Sequence, residues 1–189
     1  MRIGWDSDGV LYRFTKAYHS WMNLNHGMSL DLEAEAQTWN WFTEWSQTVE
    51  EFKQAMDESV DAGHLFWQGE LYEPETPQLL AQLKALGHSN HLVTYRFSGK
   101  TRCAKAATEY FYASQGIEFD SITYSKDKTV VDVDFFLEDN LANYDVLDAA
   151  GVKVYLVNRP YNQENDSRRR VDSVKEYVNE VLNSYVSAS

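Results

Sequence analysis

The chain opens with MRIGWDSDGVL (residues 1–11), a short apolar run followed at once by two aspartates and a glycine. The first five residues predict a buried strand, and the next four predict the loop that follows it. Asp6 and Asp8 are two residues apart at the end of that strand, so both carboxylates can face one cleft if the backbone turns. Gly9 permits such a turn because it has no side chain. This stretch therefore predicts the first strand of a sheet together with a site at its carboxyl end.

Short apolar strands alternate with longer helices over the second half of the chain. Predicted strands lie at 91–94, 121–124, 134–137 and 153–157, and predicted helices at 78–86, 100–115, 144–150 and 171–186. Strands that alternate with helices in this way are typical of a parallel sheet covered on both faces. Together with residues 1–5 they predict an α/β fold, a Rossmann-like parallel five-stranded sheet with helices on both faces.

A helical insertion separates the first strand from the others. Apolar side chains at helical spacing predict helices at 12–25, 30–37 and 49–62. The insertion has no linker-like composition, no repeats and no low-complexity tract, so it should pack as a cap on the sheet. The predicted division is an α/β core at 1–14 and 74–189 and a helical cap at 15–73.

The charge balance limits the partners. The net charge is −12, from 17 basic and 29 acidic residues. Nucleic acid polymers and anionic membranes both require clustered lysine and arginine, so neither is expected as a partner. A small anionic substrate is compatible with this balance, because a bound cation can reverse the sign of the charge inside a cleft.

Cysteine use indicates the compartment. The chain has one cysteine, Cys103, so no intramolecular disulfide can form, which fits a reducing environment. Neither a secretory signal nor an apolar run of about 20 residues is visible, and a cytoplasmic location is predicted. Cys103 falls within the predicted helix 100–115 and is expected in the core.

Polar residues also follow the other predicted strands. Thr94 ends the second strand, Lys128 lies in the loop after the third, and Glu138 and Asp139 follow the fourth. Ligands of open parallel sheets bind beyond the carboxyl ends of the strands, so these groups should meet near the two aspartates. One carboxylate can attack phosphorus while a second transfers protons, and Mg²⁺ relieves the repulsion among the acids. This set predicts phosphoryl transfer, with Lys126 as an alternative cation.

These motifs resemble those of the haloacid dehalogenase superfamily of phosphatases. Residues 6–11 (DSDGVL) resemble its first motif, D-x-D-G-V-L, and Thr94 after an apolar strand resembles its second. Lys128 resembles the third motif, and the pair Glu138 and Asp139 resembles the fourth. The resemblance implies a phosphatase core of the haloacid dehalogenase type.

The resemblance is closer to the 5'(3')-deoxyribonucleotidases. Their first motif has an aromatic residue six positions after the second aspartate, which is Phe14 here. Their third and fourth motifs run together as D-K-T-V-V, a gap, and an apolar run ending in two acids, which matches residues 127–131 and 135–139. A nucleoside (deoxy)monophosphate substrate is implied, and the related enzymes suggest a homodimer.

Residue roles follow from the resemblance. Asp6 would be the nucleophile and a Mg²⁺ ligand, and Asp8 would be the acid/base, with its backbone carbonyl on the metal. Asp139 would be the third protein ligand. Thr94 and Lys128 would hold the phosphate.

Aromatic residues are candidates for a base pocket, since they make up 14% of the chain. The resemblance places Phe14 in a pocket between core and cap. Trp41, Phe66 and Trp67 are further candidates, and the alternative is that these rings form the core of the cap. Tyr95 stands after Thr94, where the family commonly has a small hydroxyl residue, and is expected to offer its backbone N–H to the substrate.

Arg96 either touches the substrate or lies at the surface. Two departures from the family pattern leave the substrate open: Glu138 stands where the family usually has aspartate, and Tyr95 stands where a small hydroxyl residue is common. A phosphatase for another small phosphoester, such as a sugar phosphate, is therefore an alternative. A catalytically silent binding module of the same fold is a second alternative, which the intact set of motif residues argues against.

Overall fold

The computed structural model describes residues 1–45, 47–100, 103–164 and 167–188. Its strands are β1 (Arg2–Trp5), β2 (Ser89–Thr94), β3 (Ser121–Tyr124), β4 (Phe135–Glu138), β5 (Lys153–Val157) and β6 (Arg170–Val171). They form a parallel sheet in the order β3-β2-β1-β4-β5-β6. The predicted α/β class and parallel sheet are confirmed, with a sixth strand added at one edge.

Six helices accompany the sheet in the described part of the chain, together with short 3-10 turns at Trp41–Trp45, Lys128–Val130 and Pro160–Asn162. The helices are α1 (Phe14–Asn25), α2 (Val49–Asp61), α3 (Thr76–Ala85), α4 (Ala104–Ser114), α5 (Leu141–Ala149) and α6 (Val174–Ala188). None of the helices described has the length and continuous apolar character that crossing a membrane requires.

The two faces of the sheet bury different clusters. Ile3 and Trp5 of β1 belong to a large cluster that also contains apolar residues of α3, α4 and α6. Phe136 of β4 belongs to a smaller cluster on the other face, with apolar residues of α5. Gly4 lies under the Phe136 ring, and a Cβ added there would come within 2.2 Å of it. The predicted coverage of both faces by helices is confirmed.

The position of β1 at the centre of the sheet determines where the site lies. Trp5 pairs with Leu92 of β2 on one side and with Leu137 of β4 on the other, so the carboxyl ends of the three strands lie within two residues of one another at the same edge of the sheet. The chain continues outward from β1 to β2 and β3 on one side and to β4, β5 and β6 on the other. Such a reversal of strand order opens a crevice beyond the strand ends, and Asp6 stands in it.

The five-strand count was wrong because the sixth strand is too short to show a pattern. Arg170 and Val171 pair in parallel with Leu156 and Val157 of β5. Two residues carry no alternation of apolar and polar side chains, and the sequence instead assigned Val171 to the last helix. That helix begins at Val174.

The predicted helix at 30–37 was also wrong. This segment has no helix, and its backbone is held by side chains of α1. Asn23 bonds both the N–H and the carbonyl of Leu30, and His19 Nδ1 lies 2.7 Å from the carbonyl oxygen of Asp31. Contacts between segments therefore override the local apolar spacing.

The expectation for Cys103 was wrong as well. Cys103 is exposed and precedes α4, which begins at Ala104 rather than at residue 100. Its backbone is extended, as is usual for the residue that caps a helix. Residues 101 and 102 of the predicted helix lie outside the described residues.

The cap has an aromatic core of its own. Tyr18, Trp21, Trp41 and Phe42 belong to one buried cluster with residues of α1 and α2. Helix α2 begins at a capping box in which Thr48 and Glu51 bond each other's backbone N–H groups. The exact limits of cap and core, at 15–73 and at 1–14 and 74–189, stay a prediction.

Candidate active site

A tight loop after β1 places the two aspartates. The backbone N–H of Asp6 donates to the carbonyl of Leu137, which extends the pairing of β1 and β4 by one residue. Gly9 has a φ of +77°, and a Cβ there would lie 2.0 Å from the Asp139 carboxylate and 2.4 Å from the Tyr161 hydroxyl. Glycine is therefore required for the loop to pack against the end of β4.

Lys128 is the cation paired with Asp6. Its Nζ lies 2.6 Å from Asp6 Oδ1 and 2.6 Å from the carbonyl oxygen of Val93. Lys128 is buried, while Lys126 is exposed, so the structure brings Lys128 to the site. Burial disfavours the ammonium, but the surrounding carboxylates, first of all Asp6, raise the pKa of Lys128. Burial also raises the pKa of Asp6, although Lys128 opposes that shift.

Three buried carboxylates meet at the end of β4. Asp6, Glu138 and Asp139 each offer an oxygen, and these oxygens lie within 4.8 Å of one another. Glu138 Oε1 accepts hydrogen bonds from Asn140 and Asn143, whereas its buried Oε2 has no partner among the described residues. Oxygen donors at this spacing, with one left unbonded, fit a hard divalent cation.

The electrostatics of the cluster agree with that fit. Burial and the neighbouring Asp6 raise the pKa of Asp139 to about 7 and that of Glu138 well above its usual range. The Tyr161 hydroxyl donates to Asp139 Oδ2 at 2.5 Å and opposes the shift of Asp139. Protons or a cation are thus needed to relieve repulsion among the acids.

Asp8 lies beside this cluster and has a different partner. Its carboxylate accepts from Arg96 Nε at 3.0 Å and from Arg96 Nη2 at 2.6 Å. The Arg96 side chain is 0% exposed and that of Asp8 is 30% exposed. Arg96 is thus a buried residue and does not lie at the surface. Its partner, Asp8, is the carboxylate to which the motif resemblance assigns proton transfer.

Thr94 ends β2 next to Lys128. It is buried, and its Oγ1 has no hydrogen-bond partner among the described residues. A buried hydroxyl without a partner is costly, so this group is suited to bonding a ligand oxygen. Tyr95 follows it with an exposed ring that packs 4.9 Å from the Phe97 ring.

A cavity of about 460 Å³ opens above the strand ends and reaches into the cap. Asp8 and Asp139 line it together with many aromatic residues. Four of the predicted pocket residues line it, namely Phe14, Trp41, Phe66 and Tyr95.

Trp67 was predicted for the same pocket, but the structure places it outside the cavity. Its Nε1 donates to the carbonyl of Val60, and its ring packs 5.8 Å from Tyr110 in a separate groove. Phe66 has a φ of +66°, which is rare for a residue with a side chain and marks a sharp local turn. Adjacent rings consequently line different cavities.

Comparison with known families identifies the chain. A family model described as "5' nucleotidase, deoxy (Pyrimidine), cytosolic type C protein" matches residues 1–186. The chain belongs to this family. It is accordingly a hydrolase that acts on phosphoric monoesters. Comparison with curated proteins gives no match.

Solved structures agree on the fold of this nucleotidase family member. Protein Tyrosine Kinase A of Mycobacterium tuberculosis matches with a TM-score of 0.64 and 16% identity over 95% of this chain and 97% of that chain. A haloacid dehalogenase-like hydrolase of Streptococcus pneumoniae matches with a TM-score of 0.62 and 13% identity over 97% of both chains. A haloacid dehalogenase-superfamily hydrolase of Geobacter sulfurreducens has a TM-score of 0.60 and 14% identity over 95% of both chains. At such identities the likeness establishes the fold alone.

Several residues at the site of this nucleotidase family member were not predicted from the sequence. Tyr161 bonds Asp139 from the loop after β5, and Asn143 bonds Glu138 from α5. No local pattern marks either residue. Phe52 lines the cavity from α2, one turn before Met56, and its apolar helical spacing was a usable signal.

Proposed function

We propose that the chain is a Mg²⁺-dependent phosphatase that hydrolyses nucleoside (deoxy)monophosphates through an aspartyl-phosphate on Asp6. One observation carries this proposal: a single cavity is lined both by the acidic residues Asp8 and Asp139 and by many aromatic residues. A phosphate bound at the carboxylates then leaves its organic group among the rings. A flat base is the group that such walls bind best.

The first chemical step forms a bond between Asp6 and phosphorus. Oδ1 of Asp6 accepts from both Lys128 and the backbone N–H of Ser7, which fixes the orientation of the carboxylate. As the Asp6–phosphorus bond forms, the bond from phosphorus to the nucleoside oxygen breaks. Asp8 enters this step as the neutral acid, donates its proton to that oxygen and becomes a carboxylate, so the nucleoside leaves as a neutral alcohol.

The second step removes the phosphate. A water molecule gives a proton to Asp8 and attacks phosphorus, and the bond to Asp6 breaks. The sum is one water consumed and one nucleoside and one inorganic phosphate released. Asp8 lines the cavity and remains partly exposed, as a group that meets both the leaving oxygen and the water must be.

Lys128 and Thr94 are suited to hold the phosphate oxygens. Lys128 is buried beside Asp6, where it offsets charge that develops in the transition state. Thr94 contributes the unbonded hydroxyl at the end of β2. The exposed position of the Tyr95 ring leaves the backbone N–H of that residue as its expected contribution.

The metal would be held by Asp6, Asp139 and the backbone carbonyl of Asp8, as the family resemblance implies. The buried oxygen of Glu138 without a partner supports a cation nearby, directly or through water. When bound, Mg²⁺ would offset the negative charge that the carboxylates and the phosphate bring together.

Phosphate release from a substrate panel tests this proposal. The panel contains nucleoside 5'-monophosphates with ribose and deoxyribose, 3'-monophosphates and sugar phosphates, each with Mg²⁺ and with excess chelator. We expect Mg²⁺-dependent release that favours nucleotides. Release from sugar phosphates alone would keep the phosphatase chemistry and overturn the base pocket, and binding of nucleotides without any release would favour a silent module.

The cellular location, the partners and the oligomeric state of the enzyme also remain predictions. A cytoplasmic location agrees with the word cytosolic in the family description. The partner expected is a small phosphomonoester rather than a nucleic acid polymer or a membrane. A homodimer is suggested by the related enzymes, and light scattering of the purified chain would test it.

A further inference from the structure

The Arg96 side chain is buried, and the described residues contact its guanidinium group both in its plane and on its faces. Its Nη1 donates to Thr108 Oγ1 at 3.1 Å, and its other nitrogens bond Asp8. The guanidinium carbon lies 4.6 Å from the centre of the Tyr12 ring and 4.1 Å from that of the Phe66 ring. Hydrogen bonds in its plane and two nearby aromatic rings leave this guanidinium little freedom.

Asp8 depends on this single partner. Among the described residues, Arg96 supplies every hydrogen bond that the Asp8 carboxylate accepts. Asp6 differs, because both a lysine and a backbone N–H hold it. The direction of the Asp8 oxygens is therefore determined by Arg96 and not by the loop.

We propose that Arg96 is a positioning residue, which aims the Asp8 carboxylate at the oxygen that leaves the substrate. This assignment rests on the proposed function, in which Asp8 transfers the proton. The paired donors of a guanidinium bond both oxygens of a carboxylate and fix its plane as well as its distance. A misplacement of about 1 Å lowers a reaction rate by about 10²-fold, so this orientation is worth fixing.

The choice of arginine follows from the same geometry. An ammonium group is a point charge without a fixed plane, so lysine at this position would pair with Asp8 but would not orient it. A buried arginine is also retained only when its charge and its donors are satisfied. The pair with Asp8 and the bond to Thr108 meet that requirement.

The cap takes part in this arrangement through Phe66. One ring covers Arg96 and also lines the cavity proposed for the base. The backbone N–H of Phe66 donates to the Tyr12 hydroxyl at 3.2 Å, and that hydroxyl donates to the carbonyl of Gln68 at 2.6 Å. Phe66, Tyr12 and Arg96 thus form a continuous set of contacts that leads from the cap to the Asp8 carboxylate.

The leaving group provides the test. A nucleoside monophosphate expels an alkoxide, which needs a proton from Asp8, whereas p-nitrophenyl phosphate expels a weakly basic phenolate that leaves without one. We would measure kcat/KM for both substrates, since it covers the steps up to phosphoryl transfer and excludes the later hydrolysis. Arg96→Lys should lower kcat/KM for the nucleotide by roughly 10²-fold and that for p-nitrophenyl phosphate by no more than about 3-fold.

Three further variants complete the experiment. Asp8→Asn should show the same dependence on the leaving group, with a larger loss. Arg159→Lys is the matched control: Arg159 also packs on a ring, that of Tyr72, and bonds the carbonyl of Gly9, but among the described residues it makes no hydrogen bond to the Asp8 carboxylate. Arg159→Lys should lower kcat/KM for the nucleotide and kcat/KM for p-nitrophenyl phosphate by the same factor. If Arg96→Lys fails to fold, Thr108→Val replaces it, with a smaller but equally selective loss expected.

The outcomes separate the two claims. Equal losses on both substrates, or no loss on either, would overturn the role of Arg96 while the phosphatase stands. A wild-type chain that releases phosphate from neither substrate would overturn the proposed function and the role of Arg96 with it.

Discussion

The end of the sheet and the aromatic cluster of the cap border the same cavity but are held in place by opposite means. At the sheet, charged groups are buried: Asp6, Lys128, Glu138 and Asp139 are each at most 8% exposed. In the cap, rings pack on rings, and Phe42 stacks on Phe52 at 4.3 Å. Buried charges are stable only with their partners in place, whereas apolar packing tolerates exchange of similar volumes.

This difference suggests that the end of the sheet and the cap contribute to different steps, the first to the reaction and the second to the choice of substrate. Substitutions at the sheet should change turnover or metal dependence, because the proposed function gives the carboxylates there roles in catalysis or metal binding. Substitutions in the cap should change the preference among substrates, because the proposed function places the organic group of the substrate among the rings.

The nucleophile should be the most sensitive position. Asp6→Asn keeps the shape of the side chain and an oxygen for Lys128, but an amide does not attack phosphorus. Phosphate release should fall by roughly 10⁴-fold or more, while circular dichroism and the thermal transition stay close to wild type. Asp132→Asn is the control, since Asp132 is 89% exposed. Near-wild-type turnover by Asp6→Asn would falsify the assignment.

The carboxylate cluster should make the metal-free protein less stable as the pH rises. The pKa of Asp139 is raised to about 7, against about 3.9 for an unperturbed aspartate. The folded state thus holds a proton that the unfolded chain has lost. This stabilisation is fully present below pH 4 and disappears as the pH rises through about 7. The raised pKa of Glu138 acts in the same direction.

Thermal unfolding in excess chelator between pH 5 and pH 8 measures this effect. Several histidines have pKa values lowered by burial, which acts in the opposite direction, so Asp139→Asn is the necessary comparison. The Tm of wild type should fall relative to this variant by several degrees, at about 2–4 °C per kcal/mol. Mg²⁺ added at pH 8 should reverse the loss. Parallel curves for the two proteins would show that Asp139 is not protonated.

Substitution of an aromatic residue that lines the cavity from the cap should change KM rather than kcat. Phe14 lines the cavity beside Phe66, with ring centres 6.1 Å apart. Phe14→Leu keeps apolar volume but removes the flat face, and stacking on a base is worth about 1–3 kcal/mol. KM for nucleoside monophosphates should rise about 5-fold or more, with KM for glycerol phosphate unchanged. Trp67→Phe, which lies outside the cavity, should alter neither value. A rise in KM for glycerol phosphate as well would point to a general collapse of the cap.

The same contrast explains what the sequence could predict. The strand ends were readable from local apolar runs, and parallel strands bring their carboxyl ends together, so the meeting of Asp6, Lys128 and Asp139 followed. The bond from Arg96 to Asp8 and the bond from Tyr161 to Asp139 could not be predicted in this way, because each joins residues that are far apart in the chain. In the cap, local spacing predicted α2 but failed at 30–37, where bonds to α1 determine the backbone.

The smallest effect concerns a contact between the two regions. Asp57 of α2 accepts the backbone N–H of Gly99 at 2.8 Å, and Asp61 accepts that of Lys100. These N–H groups belong to the loop that follows Thr94, so α2 is fastened to the segment expected to hold the phosphate. A cap fastened in this way is held over the strand ends, and loss of one bond should loosen it without displacing any catalytic group.

Asp57→Ala should therefore weaken substrate binding only modestly. Loss of one such hydrogen bond costs about 1 kcal/mol, or about a 5-fold rise in KM at constant kcat. Asp57→Asn is the matched variant, because its amide oxygen still accepts from Gly99, and its KM should stay near wild type. Asp57 also lines the cavity, so the pair of variants separates two roles. If Asp57→Ala and Asp57→Asn raise KM equally, the effect comes from the charge of Asp57 that faces the cavity. The hydrogen bond from Gly99 to Asp57 would then not be what supports substrate binding.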